Sequence, residues 1–301
     1  MQNQIFWLSS YPKSGNTLLR YMLIALFFTE DGRFGFDKSK FISQFDQTVI
    51  IKNNKHIFGE DFRKIGNIEI FYKYMDQLQT KKSLGFENDF IFLKTHAGLF
   101  EINNNSFTKI ENTRGFIYLI RDPRDVCISN AKHNGITFDQ SINILLNKNT
   151  LIDWIKRKED EKDFNKFTTP KSLMSSWENH VISWTSVDWN IPYLIIKYED
   201  LVYDKKNTLQ KIILFFEKNY NFKFHKIDTK ISNILETTDF KNFRKYEENY
   251  GFNEASKYSS FFSVGQKNQW KEKLTKNQIQ KIEGSFNSVM KDFDYKLSVE
   301  L

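Results

Sequence analysis

Four apolar runs in this chain are each followed at once by residues able to bind anions or move protons. Ile5–Leu8 leads into Tyr11-Pro12-Lys13-Ser14-Gly15-Asn16-Thr17, and Phe90–Leu93 ends in Lys94-Thr95-His96. Phe116–Ile120 ends in Arg121-Asp122-Pro123-Arg124-Asp125, and Tyr193–Ile196 in Lys197-Tyr198-Glu199-Asp200. The first segment has the make-up of a phosphate cradle. A loop feeding a helix N-terminus offers unpaired N–H groups and the positive end of the helix dipole. Gly15 permits close backbone approach, Lys13 adds a charge, and Ser14, Asn16 and Thr17 can donate hydrogen bonds. It is not a nucleoside-triphosphate P-loop, because Gly-x-x-x-x-Gly-Lys-Ser/Thr is absent. By itself, Lys-Ser-Gly-Asn-Thr suits an ordinary strand–helix turn equally well.

The apolar runs read as buried strands and the stretches between them as helices. Leu18–Phe28 and Pro123–His133 have helical patterns, the second with Asp122 as cap and Pro123 as first helical residue. Lys171–Asp188 reads as a further helix, with Leu173, Trp177, Trp184 and Val187 near one face. Another carries Leu209, Ile212, Ile213 and Phe216. The last starts at Thr275, where Thr275-x-x-Gln278 has capping-box form. Alternating strands and helices predict an α/β fold whose mostly parallel sheet is covered on both faces. Ligands of such sheets bind beyond the carboxyl ends of the strands, so the four segments are expected to converge on one crevice. Lys156–Lys166 reads as a solvated run of mixed charge. Phe240–Ser263 lacks a clean period and has the length of a functional lid.

Composition bounds the classes open to the protein. At 301 residues, 40% hydrophobic and 16% aromatic, the chain can build a packed core, and no linker divides it. The expectation is one domain, 1–301. The net charge of +7 fits an anionic partner. Its basic residues are scattered, which argues for a phosphorylated small molecule over nucleic acid, and abundant Lys throughout explains the charge equally well. Cys127 is the only cysteine and the N-terminus shows no signal, so a cytoplasmic protein is expected. Leu18–Phe28, interrupted by Arg20, is too short to span a bilayer.

The motifs together resemble those of the PAPS-dependent sulfotransferase family, PAPS being 3′-phosphoadenosine 5′-phosphosulfate. Tyr11–Thr17 is similar to the family's P-loop-like 5′-phosphosulfate loop. Arg121-Asp122-Pro123-Arg124-Asp125-Val126, with Ser129 eight residues beyond Arg121, resembles its 3′-phosphate motif. Lys94-Thr95-His96 matches the segment carrying its catalytic histidine, and Tyr198-Glu199-Asp200-Leu201 another signature. Gly265-x-x-x-x-Trp270-Lys271 is similar to its last nucleotide-binding motif. The resemblance runs in order from about residue 5 to 275.

That resemblance implies PAPS as donor and a sulfuryl group passed to a hydroxyl or amine of a small-molecule acceptor. Lys13, Ser14, Gly15, Asn16 and Thr17 are expected to hold the 5′-phosphosulfate, and Arg121 and Ser129 the 3′-phosphate, a dianion suited to a bidentate guanidinium. Tyr198, Thr238 and Phe240 fall where the family contacts adenine, and Gly265 where a backbone N–H meets the 3′-phosphate. His96 is the expected general base, with Lys13 and Lys94 neutralising charge on the leaving group. No metal is expected, since no carboxylate cluster or His/Cys spacing suggests one.

The sequence also departs from the family. Leu18 stands in place of a usual tryptophan, and Ser263 and Val264 replace the Arg-Lys before the glycine. Lys267 is a possible substitute. The dimerisation pattern is half present, with Lys276 and Gln280 in place of Val and Glu, so no dimer is carried over. His180, between Trp177 and Trp184, reads as packing or polar support. His133 ends the helix that follows Arg121 and is expected to interact with that helix's C-terminus, and His56 and His225 carry no motif. A P-loop nucleotide kinase would need the Gly-Lys-Ser/Thr loop and a magnesium-binding carboxylate. A non-catalytic PAPS-binding or PAP-binding protein, PAP being the desulfated nucleotide, would differ by lacking turnover.

Overall fold

The computed structural model describes residues 4–154, 164–252, 254–262 and 267–298. Its strands are β1 (Ile5–Ser10), β2 (Ser43–Gln44), β3 (Ile91–Thr95), β4 (Glu101–Ile102), β5 (Asn105–Ser106), β6 (Thr113–Ile120), β7 (Leu151–Asp153), β8 (Lys171–Leu173) and β9 (Tyr193–Lys197). The principal sheet has the order β2-β3-β1-β6-β9. β1 and β2 both pair in parallel with β3, Ser9 lying opposite Thr95 and Gln44 opposite Lys94. All six residues of β1 are buried, which is why the strand reads as an unbroken apolar run rather than an alternating one. The fold is the expected α/β arrangement, a largely parallel sheet flanked by helices.

Contacts divide the chain into two compact units, each assembled from three stretches. The first comprises residues up to 11, 42–118 and 147–193. Its core is aromatic: Trp7 meets Phe45 edge-on at 5.3 Å between ring centroids, Phe45 meets Trp154 at 5.2 Å, and Trp154 meets Phe71 at 4.9 Å. Such edge-to-face pairs add to the area these rings bury.

The helix expected at 171–188 is corrected here. Lys171–Leu173 is the strand β8, paired antiparallel with β7, and the helix runs only from Trp177 to Thr185. Ser172 faces inward and accepts from Trp154 Nε1 at 2.9 Å, which fixes the strand. Ser176 starts the helix by accepting the Asn179 N–H, as an N-cap serine does.

The second unit comprises residues 12–41, 119–146 and 194 onward. The helix Asn16–Phe28 is buried along its length through Leu26, consistent with an all-round apolar pattern. The helix Pro123–Asn134 has the expected ends: Asp122 accepts the Arg124 N–H, Pro123 occupies the first turn, and Gly135 closes it in the left-handed conformation. Thr275 and Gln278 form the expected capping box ahead of Lys276–Asp292. The stretch expected to be irregular contains a helix, Phe240–Tyr250, capped by Asp239. Its one buried residue, Phe243, meets Tyr21 edge-on at 5.5 Å, so a single apolar position anchors it and the period was faint. Of the mixed-charge run, 156–163 lies outside the described residues. Among the described residues no helix is long and apolar enough to cross a membrane.

Candidate functional site

Each of the four sequence segments begins at or just beyond the carboxyl end of a strand: β1 ends at Ser10, β3 at Thr95, β6 at Ile120 and β9 at Lys197. In the second unit, the loop entering the helix Asn16–Phe28 adopts left-handed geometry twice, with φ of 70° at Lys13 and 93° at Gly15. A Cβ on Gly15 would collide with the Tyr198 ring, so glycine is required both by φ and by close packing. Arg121 braces the same loop, its Nη1 donating to the Lys13 carbonyl at 2.9 Å. The Arg121 guanidinium lies 4.1 Å from the centre of the Tyr198 ring, a cation–π stack. Lys13, Gly15, Arg121 and Tyr198 are thus one cluster.

Two atoms of this loop and its brace are buried without a hydrogen-bond partner, Ser14 Oγ and Arg121 Nε. Buried donors left unmatched are costly, and an anion at this loop would match them. The residues therefore fit a bound phosphate group. One acidic side chain already sits at the loop: Glu254 accepts from Thr17 Oγ1 at 2.8 Å and from Arg20 Nη2 at 2.6 Å. Nothing in the sequence around Glu254 marked it. Lys13 Nζ lies 4.6 Å from the centre of the Phe261 ring.

The other expected nucleotide residues differ in how they are presented. Ser129 is half-exposed on its helix, and Asn16 and Thr17 are buried. Thr238 is fully buried and its hydroxyl donates to the Ile234 carbonyl at 2.6 Å. Phe240 is half-exposed, edge-on to Phe262. Gly265, with Ser263 and Val264, lies outside the described residues. Lys267 is exposed, its ammonium 4.4 Å from the centre of the Tyr203 ring.

The rest of the arginine motif holds the unit together. Arg124 is buried, bonds both oxygens of Asp122, reaches Glu283 at 2.5 Å and stacks 3.7 Å from the Trp270 ring. Asp125 accepts the N–H groups of Asn268 and Trp270, at 2.7 and 3.1 Å, and burial raises its pKa. Glu199 accepts the Asp122 N–H at 3.3 Å.

His133 corrects an expectation. Burial first, then the positive charge of Lys13, lowers its pKa to about 4. It is therefore neutral at ordinary pH and supplies no cation to its helix end. Burial and a lysine 120 positions away are tertiary effects, which helix-end rules cannot see. His56 and His225 are exposed.

In the first unit, His96 directly follows β3 and is half-exposed. Its Nδ1 lies 2.8 Å from the Ser10 carbonyl oxygen, which can only accept. The neutral ring therefore carries its proton on Nδ1, with its lone pair on Nε2. The His96 N–H donates to Asp46, and its carbonyl accepts from His180 Nε2 at 3.1 Å. His180 Nδ1 in turn accepts from the Tyr118 hydroxyl at 2.9 Å, and burial lowers the His180 pKa to about 4. The reading of His180 as polar support holds. The same helix donates Trp184 Nε1 to the Ala97 carbonyl at 3.0 Å. Lys94, two residues before His96, is buried.

A loop whose buried donors would match a phosphate group, an arginine stacked on a tyrosine beside it, and a histidine held in one tautomer stand on an α/β scaffold. The sulfotransferase domain family matches residues 3–294, and the chain belongs to that family. The chain is 27% identical over 192 residues to the 3-beta-hydroxysteroid sulfotransferase of Cavia porcellus, a match covering 60% of this chain and 58% of the relative. It is 26% identical over 197 residues to the amine sulfotransferase of Oryctolagus cuniculus, covering 63% of this chain and 59% of the relative. The matches thus span under two thirds of these relatives. Mouse sulfotransferase SULT7A1, solved in complex with PAP, has a similar fold, with a TM-score of 0.58 at 16% identity over 96% of this chain and 86% of that one.

Proposed function

We propose that this chain transfers a sulfuryl group from PAPS to a hydroxyl or amine of a small acceptor. The observation that carries the reading is the loop at Lys13–Gly15, with its buried, unpartnered Ser14 hydroxyl at the start of a 13-residue helix. Lys13, Ser14, Gly15, Asn16 and Thr17 would hold the 5′-phosphosulfate. Arg121, Ser129 and the Gly265 N–H would hold the 3′-phosphate, with Tyr198, Thr238 and Phe240 around the adenine. The PAP bound to the solved relative and the names of both sequence relatives support the reading of a PAPS-dependent transfer.

Bound PAPS would supply an activated sulfuryl group and a phosphate leaving group. His96 Nε2 takes the acceptor's proton as the acceptor oxygen or nitrogen attacks sulfur, so the new S–O or S–N bond forms as that proton leaves. Lys13 and Lys94 stabilise the negative charge that the breaking sulfur–oxygen bond leaves on phosphate. Deprotonated acceptor becomes sulfate ester or sulfamate, and PAP departs. No covalent enzyme intermediate is involved. Cys127 takes no part: burial pushes its thiol up to about 11. We read residues 1–301 as one domain, because the chain passes between the two units five times, and the setting as cytoplasmic.

PAP in a chelator-treated sample should raise Tm, following RT ln(1 + [L]/Kd). Labelled PAPS offered with a panel of alcohols, phenols and amines should then show transfer. Strict magnesium dependence, or no stabilisation at millimolar PAP, would contradict the reading.

A further inference from the structure

The backbone amide of His96 is held by a carboxylate that belongs to none of the motifs. Asp46 is fully buried just past β2. Parallel pairing of β2 with β3, Gln44 opposite Lys94, carries the chain on so that Asp46 arrives beside Thr95 and His96. The Phe45 N–H extends the ladder, donating to the Lys94 carbonyl at 2.8 Å. Asp46 Oδ2 then accepts from Thr95 Oγ1 at 2.9 Å and from the His96 N–H at 3.0 Å, while Oδ1 accepts from Thr95 Oγ1 at 3.1 Å. Thr95 Oγ1 also accepts the Ala97 N–H at 3.0 Å. Residues 95–97 are therefore pinned from one side by Asp46, directly or through Thr95, and from the other by His180 and Trp184.

We propose that Asp46 is a positioning residue for sulfuryl transfer, setting the direction in which the His96 ring leaves the strand end. The proposal rests on the reading of His96 as base. A buried carboxylate is an expensive way to hold a turn: burial raises the Asp46 pKa to about 6, against the lowering effects of the His96 amide, the Thr95 hydroxyl and the Lys94 charge. Tyr72, fully buried, also feels the Asp46 charge. Oδ2 matters because it fixes the amide of the very residue whose ring must meet the acceptor within a few tenths of an ångström.

The test uses the full chain with single-turnover transfer and PAP titration. Asp46→Leu keeps bulk without a buried charge, and Asp46→Ala removes the side chain. Both are expected to slow transfer roughly 10- to 100-fold with PAP affinity within about twofold. Asp46→Asn can place its oxygen where Oδ2 now accepts both bonds, and should transfer within about threefold of wild type. In a His96→Ala background, Asp46→Leu should cost no more than about twofold, because the two residues act as one unit. Equal losses with and without His96, a parallel loss of PAP affinity, or an Asn variant as slow as Leu would each overturn the proposal. If Asp46→Ala does not fold, the Leu and Asn pair decides alone. Wild-type transfer by folded His96→Ala overturns the base reading and this role together. A slow His96→Ala beside a wild-type-like Asp46→Leu overturns this role only.

Discussion

The histidine cluster of the first unit and the Lys13–Gly15 loop of the second, proposed to hold phosphate, are built on opposite principles. Around His96 the protein supplies the partners itself: Asp46 accepts from the amide N–H, His180 donates to the carbonyl, and the Ser10 carbonyl accepts from the ring Nδ1–H. Around the loop, Ser14 Oγ and Arg121 Nε are buried without partners, and Thr17 is bound to a carboxylate from a distant segment. A base that must accept a proton in one geometry gains from being fixed before substrate arrives. A site for a multiply charged nucleotide can leave its donors unmatched, since the ligand's oxygens repay the cost on binding. If the comparison is right, substitutions in the two clusters separate chemistry from binding.

The largest separation is expected at His96. His96→Ala should leave PAP binding nearly unchanged while single-turnover transfer falls roughly 10²- to 10⁴-fold. Protein checked for folding by circular dichroism makes the measurement decisive. Wild-type transfer by the folded variant would erase the distinction.

Arg121→Ala should do the reverse, weakening nucleotides that bear a 3′-phosphate by about 1.5–3 kcal/mol, the worth of a charge-assisted hydrogen bond. Because Arg121 also braces the loop through the Lys13 carbonyl, some loss is expected for every nucleotide. Isothermal titration with PAP and with adenosine 5′-phosphate isolates the 3′ contribution. Equal weakening of both would reduce Arg121 to a loop brace. Ser263 and Val264 stand where the family usually has Arg-Lys, so Arg121 should carry more than its usual share.

A smaller effect is expected at Glu254. Its carboxylate engages Thr17 and Arg20, and a phosphate group at Thr17 would have to share or displace that contact. Glu254→Gln keeps an acceptor for Arg20 and removes the negative charge. PAP should bind about 3- to 10-fold more tightly, or roughly 0.7–1.4 kcal/mol. Weaker binding would mean that Glu254 supports the loop rather than competing for it.

What the sequence disclosed and what it hid follow from the range of the interactions involved. Strand ends, the Asp122–Pro123 start and the Thr275 capping box were legible because each depends on residues within a few positions. Lys13, Gly15, Arg121 and Tyr198 were legible as separate motifs, and the structure adds that they form one cluster. Asp46 and Glu254 were not legible. Each is a lone carboxylate in unremarkable sequence, 50 positions from His96 and 237 from Thr17. β8 was missed because three residues give too little alternation to be told from the start of a helix. The aromatic content was legible as core material, and Trp7, Phe45, Phe71 and Trp154 are spent there.

The finest test of the comparison uses two histidines whose pKa values are lowered to about 4, one in each unit. His180 owes its value to burial, against hydrogen bonds that raise it. His133 owes its value to burial and then to the charge of Lys13, with Glu254 opposing. Both are neutral in the folded protein and would titrate near 6.5 when unfolded. Their contribution to stability is therefore full above about pH 6.5 and is lost as pH falls toward 4. PAP should split the pair. A phosphate group beside Lys13 offsets the charge that disfavours the His133 imidazolium, so the His133 midpoint should rise on saturation with PAP while that of His180 stays within error. The chain has only five histidines, so their ring signals can be assigned by substitution and followed by NMR against pH. The rise is bounded by the Lys13 share, because burial remains. A His133 midpoint indifferent to PAP would mean that the anion does not settle beside Lys13. Equal shifts at both histidines would mean that the first unit responds to nucleotide as well, and the contrast between a fixed base and a ligand-completed loop would fail.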